Sequence, residues 1–577
     1  MSLHVVYIES DSELSKVLTD LGRGNVVGVD TETTGLDPLR EKVRLVQLAI
    51  PGTVYVVDCF RVTDMEPLRR LLESPDQVKV FQNAKFDIKM LGRNYGIFPR
   101  PIFDTMVADI LLDREAGHGL ADITGRVLGE SMSKEEQTSD WTAPELRPEQ
   151  IEYAARDAET LIRLYLILNK RLNDGGLAAL AELEFAVVSV TARMELNGFQ
   201  LDKASWSAEL EKVSHERKAL GDFLAGELGT NVLRSPKKLA EALRSRGIPL
   251  PSQKSTSEGV LKGFAADHPL ILEILRWKKL DKLGSTYGVK LLESVSTVTG
   301  RVHANFHSAG TVSGRYSSSK PNLQNIPKEH RWRRNFIAPP GRLLVIGDYS
   351  QIELRVLAGL SGDGRMLRAY EQRIDLHKFT AAMVTKKKME EITKPERQLA
   401  KAINFGIAYG MSRKGLAQYA FTSYGVQMSE EDAQSHLTLF FEVFNRVRRW
   451  QLETIEKTRA DGYAKTFMGR MIPLKDSYSS KALNYPVQGT AAEGLKHALV
   501  LLDERLVPLD SRIVCTVHDE IVVECPAGSV DAIKKLLHDT MIEGMKRVIP
   551  SVPVEVDVRV APTWSEQDAM GKGNPGP

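Results

Sequence analysis

At 577 residues the chain is too long for a single hydrophobic core, and domain-size scaling predicts about three to five compact units. A hydrophobic fraction of 42% and a charged fraction of 26% exclude a disordered chain, and no apolar run approaches the length needed to span a membrane. The formal net charge is only +2, so any affinity for nucleic acid has to come from clustered rather than total charge.

The N-terminus, MSLHVVYIES, has acidic residues at once and no basic-then-apolar pattern, so no signal or transit peptide is expected. Strand-like runs NVVGVD (25–30), VRLVQLAI (43–50), TVYVVD (53–58) and VKVFQN (78–83) then alternate with helical runs MEPLRRLLES (65–74), FDIKMLGRNY (86–95) and AETLIRLYLILNKRL (158–172). That is the pattern of an α/β domain, and NDGG at 173–176 ends it. From 177 to about 294 the pattern is almost wholly helical and reads as an arm. From about 301 it is mixed: strand-like RLLVIGD (342–348), long helices between Ser361 and Asp461, a hairpin near 513–523, a further helix and VPVEVDVRV (552–560). GKGNPGP (571–577) reads as a frayed tail. Cys59, Cys515 and Cys525 lack metal-ligand spacing and give no disulfide framework, which fits a reducing compartment and a cytoplasmic location. Basic residues cluster beside aromatics in EHRWRRNF (329–336), in the stretch 385–401 and in NRVRRW (445–450), a pattern that suits either a nucleic-acid contact or a solvated helix face.

One acidic constellation lies near the N-terminus. Asp30 and Glu32 are two apart on a strand and point to the same face. Asp87 falls at the start of a helix, and Tyr153 and Asp157 are four apart on one helical face. Taken singly, Asp87 also suits a first-turn acid favoured by the helix dipole, and Asp157 a solvated position. Together they are a hard-oxygen set suited to two divalent cations and a positioned water. The motifs DTETTG, NAKFD and YxxxD, with SDW at 139–141, resemble the DEDDy 3′-to-5′ exonucleases in order over residues 1–172. By that resemblance Asp30, Glu32, Asp87 and Asp157 hold two Mg²⁺ or Mn²⁺ ions, and Tyr153 orients the attacking water.

The second constellation is spread over three segments. In RLLVIGDYSQIELRVLAGLSGD (342–363) Asp348 ends a strand, while Ser350 and Glu353 match the capping box S-x-x-E, so Glu353 suits either a helix cap or a site. KPERQLAKAINFGIAYGM (394–411) puts Arg397, Lys401, Phe405 and Tyr409 at successive i, i+4 positions: two cations followed by two rings on one helical face. Leu399, Ala402, Ile403 and Ile407 can bury the opposite face, so a packed amphipathic helix accounts for the spacing too, but the order of cations and rings suits a triphosphate and its base. In RIVCTVHDEIVVECP (512–526) two β-branched runs, Ile513–Val517 and Ile521–Val523, read as hairpin arms with His518, Asp519 and Glu520 at or beside the turn, their carboxylates facing a cleft.

These segments resemble motifs A, B and C of the family A DNA polymerases, the bacterial polymerase I type. The likeness continues through SGRYSSSKPNLQNIP (313–327), DLHKFTA (375–381), NYPVQGTAAE (484–493) and Trp564, covering about 180–566. It implies an α/β exonuclease domain (ribonuclease H-like) at 1–175. It also implies an α+β right-hand polymerase domain with a thumb at 176–300, palm at 301–365 and 481–577, and fingers at 366–480.

By the same resemblance Asp348 and Asp519 bridge two Mg²⁺ ions, Glu520 is a secondary acid near them, and His518 contacts the primer end. Arg397, Lys401 and His377 bind the incoming triphosphate, with Lys401 protonating the leaving pyrophosphate, and Phe405 and Tyr409 line the nucleotide pocket beside Gln351 of DYSQIE. Glu353 with Tyr409 resembles a gate against a 2′-hydroxyl, and Arg315, Asn484 and Gln488 resemble readers of the minor groove and template. The expected partners are primer-template DNA and dNTPs, acting on a monomer away from membranes. No preceding 5′ nuclease domain and no thioredoxin-type clamp insertion are expected.

Ser313 and Tyr316 stand where the family commonly has Thr and Leu, and Ser480 where Arg is usual, which bears on the grip on primer-template. A single-subunit RNA polymerase would share equivalents of Asp348, Asp519, Lys401 and Tyr409, but Glu353 and the exonuclease segment argue against it. Intact carboxylates in both constellations argue against a non-catalytic nucleic-acid-binding subunit.

Overall fold

The computed structural model describes residues 3–570, apart from 23, 133–135, 137–138, 251–255, 266 and 475–477. The GKGNPGP segment, expected to fray, lies outside the described residues. No helix among the described residues is long and apolar enough to cross a membrane.

The N-terminal unit is a six-stranded sheet in the order His4–Ile8, Thr53–Asp58, Val43–Ile50, Val26–Thr33, Val78–Phe81, Ile102–Asp104. The Val43–Ile50 strand runs antiparallel to both its neighbours, and the remaining pairings are parallel. Val27 and Val29 are fully buried, as are Val46 and Leu48, as expected where helices cover both faces. The Pro148–Asp174 helix lies across the sheet through its small residues Ala154, Ala155 and Ala158. The approach is close enough that a Cβ on Gly28 would stand 2.5 Å from the Ala158 carbonyl oxygen. A glycine two residues before Asp30 therefore lets the helix carrying Tyr153 and Asp157 settle on the strand carrying Asp30 and Glu32.

The second sheet has four antiparallel strands in the order Arg512–Val517, Glu520–Pro526, Arg342–Tyr349, Val556–Ala561. The expected hairpin is present, with His518 and Asp519 between its arms and His518 in the left-handed region at φ 57°. Glu520 differs from expectation: it begins the second arm and is buried. The strand that ends in Asp348 is central, in register with Glu520 on one side and Asp557 on the other.

Two helices, Tyr478–Leu506 and Val530–Lys546, pack on this sheet and on each other. Gly347, beside Asp348, has no room for a side chain, since a Cβ there would meet the Met541 sulfur at 2.5 Å. Between the strands run helices Ile352–Ser361, Leu376–Thr385 and Lys394–Ala408. In the last of these Ala402, Ile403 and Ile407 are buried as expected.

The expected arm holds helices Lys203–Leu228, Pro236–Ser245, Glu258–Lys262, Pro269–Thr286 and Gly288–Glu293, with a small core of its own around Leu224, Leu239 and Ile274. The helix before them, Ala178–Asn197, is not part of an arm. Its Leu180, Ala181, Phe185, Val188 and Ala192 belong to the N-terminal core, and its Leu183, Val187, Val190 and Met194 to the core of the second sheet. A helix apolar all round is buried on all sides. Its fully buried acid, Glu184, accepts hydrogen bonds from Arg470 and Lys496, both themselves buried.

Gly544 tests how tightly the second sheet is backed. A Cβ there would lie 2.4 Å from the Ala498 backbone nitrogen on the facing helix, so Gly544→Ala has to push the two helices apart. Overpacking of this kind costs about 1–3 kcal/mol, and thermal unfolding of the full chain is expected to show a lowered Tm; an unchanged or raised Tm contradicts the close contact.

Candidate functional site

The cleft above the second sheet is about 580 Å³ and is lined by Asp519 and His518 from the hairpin turn, Gln351 and Glu353 from the strand-to-helix turn, and His377, Arg397, Lys401, Phe405 and Tyr409 from the two long helices, together with Arg315 and Lys328. The antiparallel register brings Asp348 and Asp519 together: the Tyr349 amide donates to the Asp519 carbonyl at 3.4 Å. Burial, then the nearby Asp519 and Glu520, push the Asp348 carboxyl up to about 7. Asp519 is raised too, mainly by burial. Asp348 Oδ1 and Gln351 Oε1 are buried oxygens without a protein hydrogen bond. A buried, unsatisfied carboxylate oxygen beside a second carboxylate is a fit for a hard divalent cation.

Glu520 does not face this cleft. It is 5% exposed, and its oxygens accept from Arg333 Nη1 at 3.2 Å, Arg559 Nη2 at 2.9 Å and Trp564 Nε1 at 2.6 Å. The expectation of a cleft-facing acid is corrected here: a carboxylate ringed by two guanidiniums and an indole is an anchor for the hairpin arm. Arg333 belongs to the basic cluster 329–336, part of which is thus structural rather than a solvated face.

Glu353 is not a helix cap. The residue preceding the helix is Gln351, at φ 54°, and no side chain caps the turn. One Glu353 oxygen pairs with Arg315 and the other accepts from the Tyr409 hydroxyl. At the C-terminal end of the Lys394–Ala408 helix the ring of Phe405 stacks with that of Tyr409, the residue just past the helix, with centroids 6.1 Å apart.

Asp375 organises the cation end. One of its oxygens caps the Leu376–Thr385 helix by accepting from the His377 and Lys378 amides, and the other accepts from Arg397 Nε at 2.8 Å. Burial, with Arg397 and Lys401 nearby, lowers His377 to about 4, so its ring is neutral at pH 7. The Asn404 amide donates to His377 Nδ1 at 2.9 Å, which leaves the proton on Nε2. Asn484 and Gln488 lie one turn apart on the Tyr478–Leu506 helix and do not line the cleft. Sequence reasoning missed Lys328, Asp375 and Asn404. The Asp375 signal was present, an Asp two residues before a histidine at a helix start, whereas Lys328 and Asn404 are defined only by tertiary contact.

The second acidic group sits on the first sheet. Burial chiefly raises all four carboxyls, with mutual repulsion adding for the strand pair: Asp30 well above its usual range, Glu32 to about 8, Asp87 to about 7 and Asp157 to about 6. Asp87 Oδ1 accepts from Thr31 Oγ1 at 2.6 Å, and the Tyr153 hydroxyl is bonded to Asp157. Trp141 of SDW is 5% exposed and packs in the same small cluster as Tyr153. No three His, Cys, Asp or Glu side chains among the described residues form a closed cage as they stand. The four acids are an open, mutually repelling group of hard oxygen donors.

The family model for DNA polymerase family A matches residues 203–566, and the model for 3′-5′ exonuclease matches residues 5–173. DNA polymerase I of Aquifex aeolicus is 38% identical over 97% of this chain and 99% of its own length. DNA polymerase I of Pseudomonas aeruginosa is 34% identical over 95% of this chain, which spans 64% of that protein. Among solved structures, the polymerase domain of Pol1 from M. smegmatis, in complex with DNA primer-template and dNTP, superposes with a TM-score of 0.85 at 27% identity, covering 97% of this chain and 99% of that one. The chain belongs to DNA polymerase family A and joins a 3′-5′ exonuclease domain to its polymerase domain.

Proposed function

We propose that Asp348 and Asp519 are the catalytic carboxylates with which this family A enzyme extends a primer on a template, and that Asp30, Glu32, Asp87, Asp157 and Tyr153 trim the primer end. The observation that carries the reading is the meeting of Asp348, near the end of its strand, with Asp519, in the hairpin turn, beside a cleft with Arg397 and Lys401 on one wall and two stacked rings beyond. Domains of both kinds need divalent metals. Here two Mg²⁺ ions are assigned to Asp348 and Asp519 and two to the exonuclease acids, with Mn²⁺ able to replace them. When bound, the ions at the polymerase site activate the primer hydroxyl and neutralise charge on the leaving pyrophosphate.

The rest of the work falls to side chains. Arg397, held by Asp375, and Lys401 grip the triphosphate, and Lys401 delivers a proton to the departing pyrophosphate. His377, neutral and fixed by Asn404, donates from Nε2 to a phosphate oxygen. Phe405 and Tyr409 pack against the base and sugar, Gln351 contacts the incoming nucleotide, and His518 meets the primer end. Arg315 reads the minor groove close to the site, with Asn484 and Gln488 on the template side. Glu353, locked between Arg315 and Tyr409, closes the floor under the sugar. The thumb, palm and fingers divide at about 300, 365 and 480. The enzyme works in the cytoplasm on primer-template DNA and dNTPs.

Asp348→Ala or Asp519→Ala is expected to lower single-nucleotide insertion by about three orders of magnitude or more, about 4 kcal/mol, while duplex binding, which rests on phosphate contacts, changes little. Asp30→Ala with Glu32→Ala is expected to abolish single-strand 3′-end degradation and to spare extension. Normal insertion in the first pair or normal trimming in the second contradicts the assignment.

Glu353→Ala is expected to raise the rNTP-to-dNTP ratio of kcat/KM by about a hundredfold, each tenfold being about 1.4 kcal/mol. Insertion assays with both sugars check it, and unchanged discrimination with a lowered Tm refutes the gate.

The raised carboxyls also set a pH dependence. In the folded, metal-free protein Glu32, Asp87 and Asp348 keep protons near pH 7, whereas unfolded carboxyls have released theirs above about pH 4–5. The folded state then binds more protons, so stability falls as pH rises through the window from 6.5 to 8. Thermal unfolding in EDTA is expected to show a Tm that drops across this window, with a shallower drop in Glu32→Gln and in Mg²⁺. A Tm that holds or rises, or equal slopes with and without Glu32, contradicts the crowding.

A further inference from the structure

The helix that bears Asp87, Lys85–Tyr95, presents a second feature on its other side. Lys85 and Lys89 are four residues apart and share a face, and Asp87, between them, lies about 200° round the helix from each. Both lysines reach Glu195 of the shared helix Ala178–Asn197, Lys85 Nζ to Oε1 at 2.8 Å and Lys89 Nζ to Oε2 at 2.7 Å. Glu195 is only 4% exposed, and its Oε1 also accepts from the Phe306 amide at 2.7 Å. Lys85 saturates its ammonium by donating to Asn305 Oδ1 and the Phe306 carbonyl, each at 2.6 Å.

Every partner outside the lysines belongs to the polymerase side. Strand Asn305–His307 pairs with Ser317–Ser319, and the loop between them holds Arg315, the partner of Glu353. The same loop is tied to the shared helix one turn earlier, where Tyr316 and Thr191 hydroxyls are 2.8 Å apart. Within the exonuclease domain the first turn of the Asp87 helix is held by Asp104, which accepts from the Asn83 and Ala84 amides at 3.1 and 2.9 Å. The residue before the helix, Ala84, offers no side-chain cap.

We infer that Glu195 is a positioning residue for the exonuclease: from the polymerase side it grips Lys85 and Lys89 on the back of the turn whose front carries Asp87, and so sets where that carboxylate stands opposite Asp30 and Glu32. Removing the charge leaves two half-buried ammonium groups without their counter-ion, a change that is strongly destabilising locally and frees the turn. The inference rests on Asp87 being an exonuclease metal ligand.

The test uses the full chain carrying Asp348→Ala and Asp519→Ala, so that metal binding reports the exonuclease site, with Mn²⁺ as the probe followed by electron paramagnetic resonance. Glu195→Gln is expected to raise the Mn²⁺ Kd at least fivefold. In the otherwise unaltered chain it is expected to raise the Mg²⁺ concentration for half-maximal single-strand degradation by a similar factor, with the Mg²⁺ profile of nucleotide insertion unmoved. Lys89→Met, which removes the ammonium paired with Glu195 Oε2, gives a milder shift of the same sign and serves if Glu195→Gln folds poorly. A wild-type Mn²⁺ Kd in both variants, or exonuclease and polymerase falling in parallel with unchanged metal profiles, overturns the inference. Asp87→Ala is run beside them: retained trimming there sinks the ligand assignment itself, whereas an unaffected Glu195→Gln with an inactive Asp87→Ala sinks the clamp alone.

Discussion

Like charges held close in partly buried places are the constraint around which both centres are built. Asp348 beside Asp519, and Asp30 and Glu32 beside Asp87 and Asp157, all hold their protons more tightly than free carboxyls do, first because burial disfavours their charged forms. Such arrangements persist only where the surroundings leave the side chains no escape. At the polymerase centre the confinement comes from a central strand paired on both edges, from Gly347 pressed on Met541, and from Glu520 locked among Arg333, Arg559 and Trp564. At the exonuclease centre it comes from Gly28 under Ala158 and from Thr31 on Asp87.

The wall of the cleft that carries Arg397 and Lys401 follows another economy, in which single acids hold two things at once. Asp375 caps one helix and holds Arg397 on the next, so the basic end of the cleft keeps its shape without a dedicated scaffold. Glu353 is tied to Tyr409, at the end of the Lys394–Ala408 helix, and to Arg315, in the loop before strand Ser317–Ser319. Burying it between a phenol and a guanidinium makes its position sensitive to where both segments stand.

The sequence was most legible where a pattern survives without any knowledge of packing, in carboxylates at strand ends and cations in helical register. The i, i+4 face of Arg397, Lys401, Phe405 and Tyr409 and the hairpin around Asp519 belong to that class. What escaped was whatever depends on which group meets which across the fold. The spacing of Ser350 and Glu353 matched a capping box, but the left-handed Gln351 starts the helix and frees Glu353 for tertiary bonds. Glu520 sat in an acidic triplet and looked cleft-facing, yet arginines far along the chain turn it inward. The helix 178–197 read as the start of an arm because periodicity cannot say how many cores an apolar helix serves.

That helix bears on how the protein is made. The core of the exonuclease domain takes in Leu177, Leu180, Phe185, Val188 and Ala192, and Met468 and Met471 pack against it from far downstream. Domains emerging from the ribosome generally fold as units, N-terminal first, but here the first unit cannot close its interior until residue 192 has cleared the exit tunnel. The interior of the first domain, as it stands in the folded chain, is thus complete only with residues made long after it.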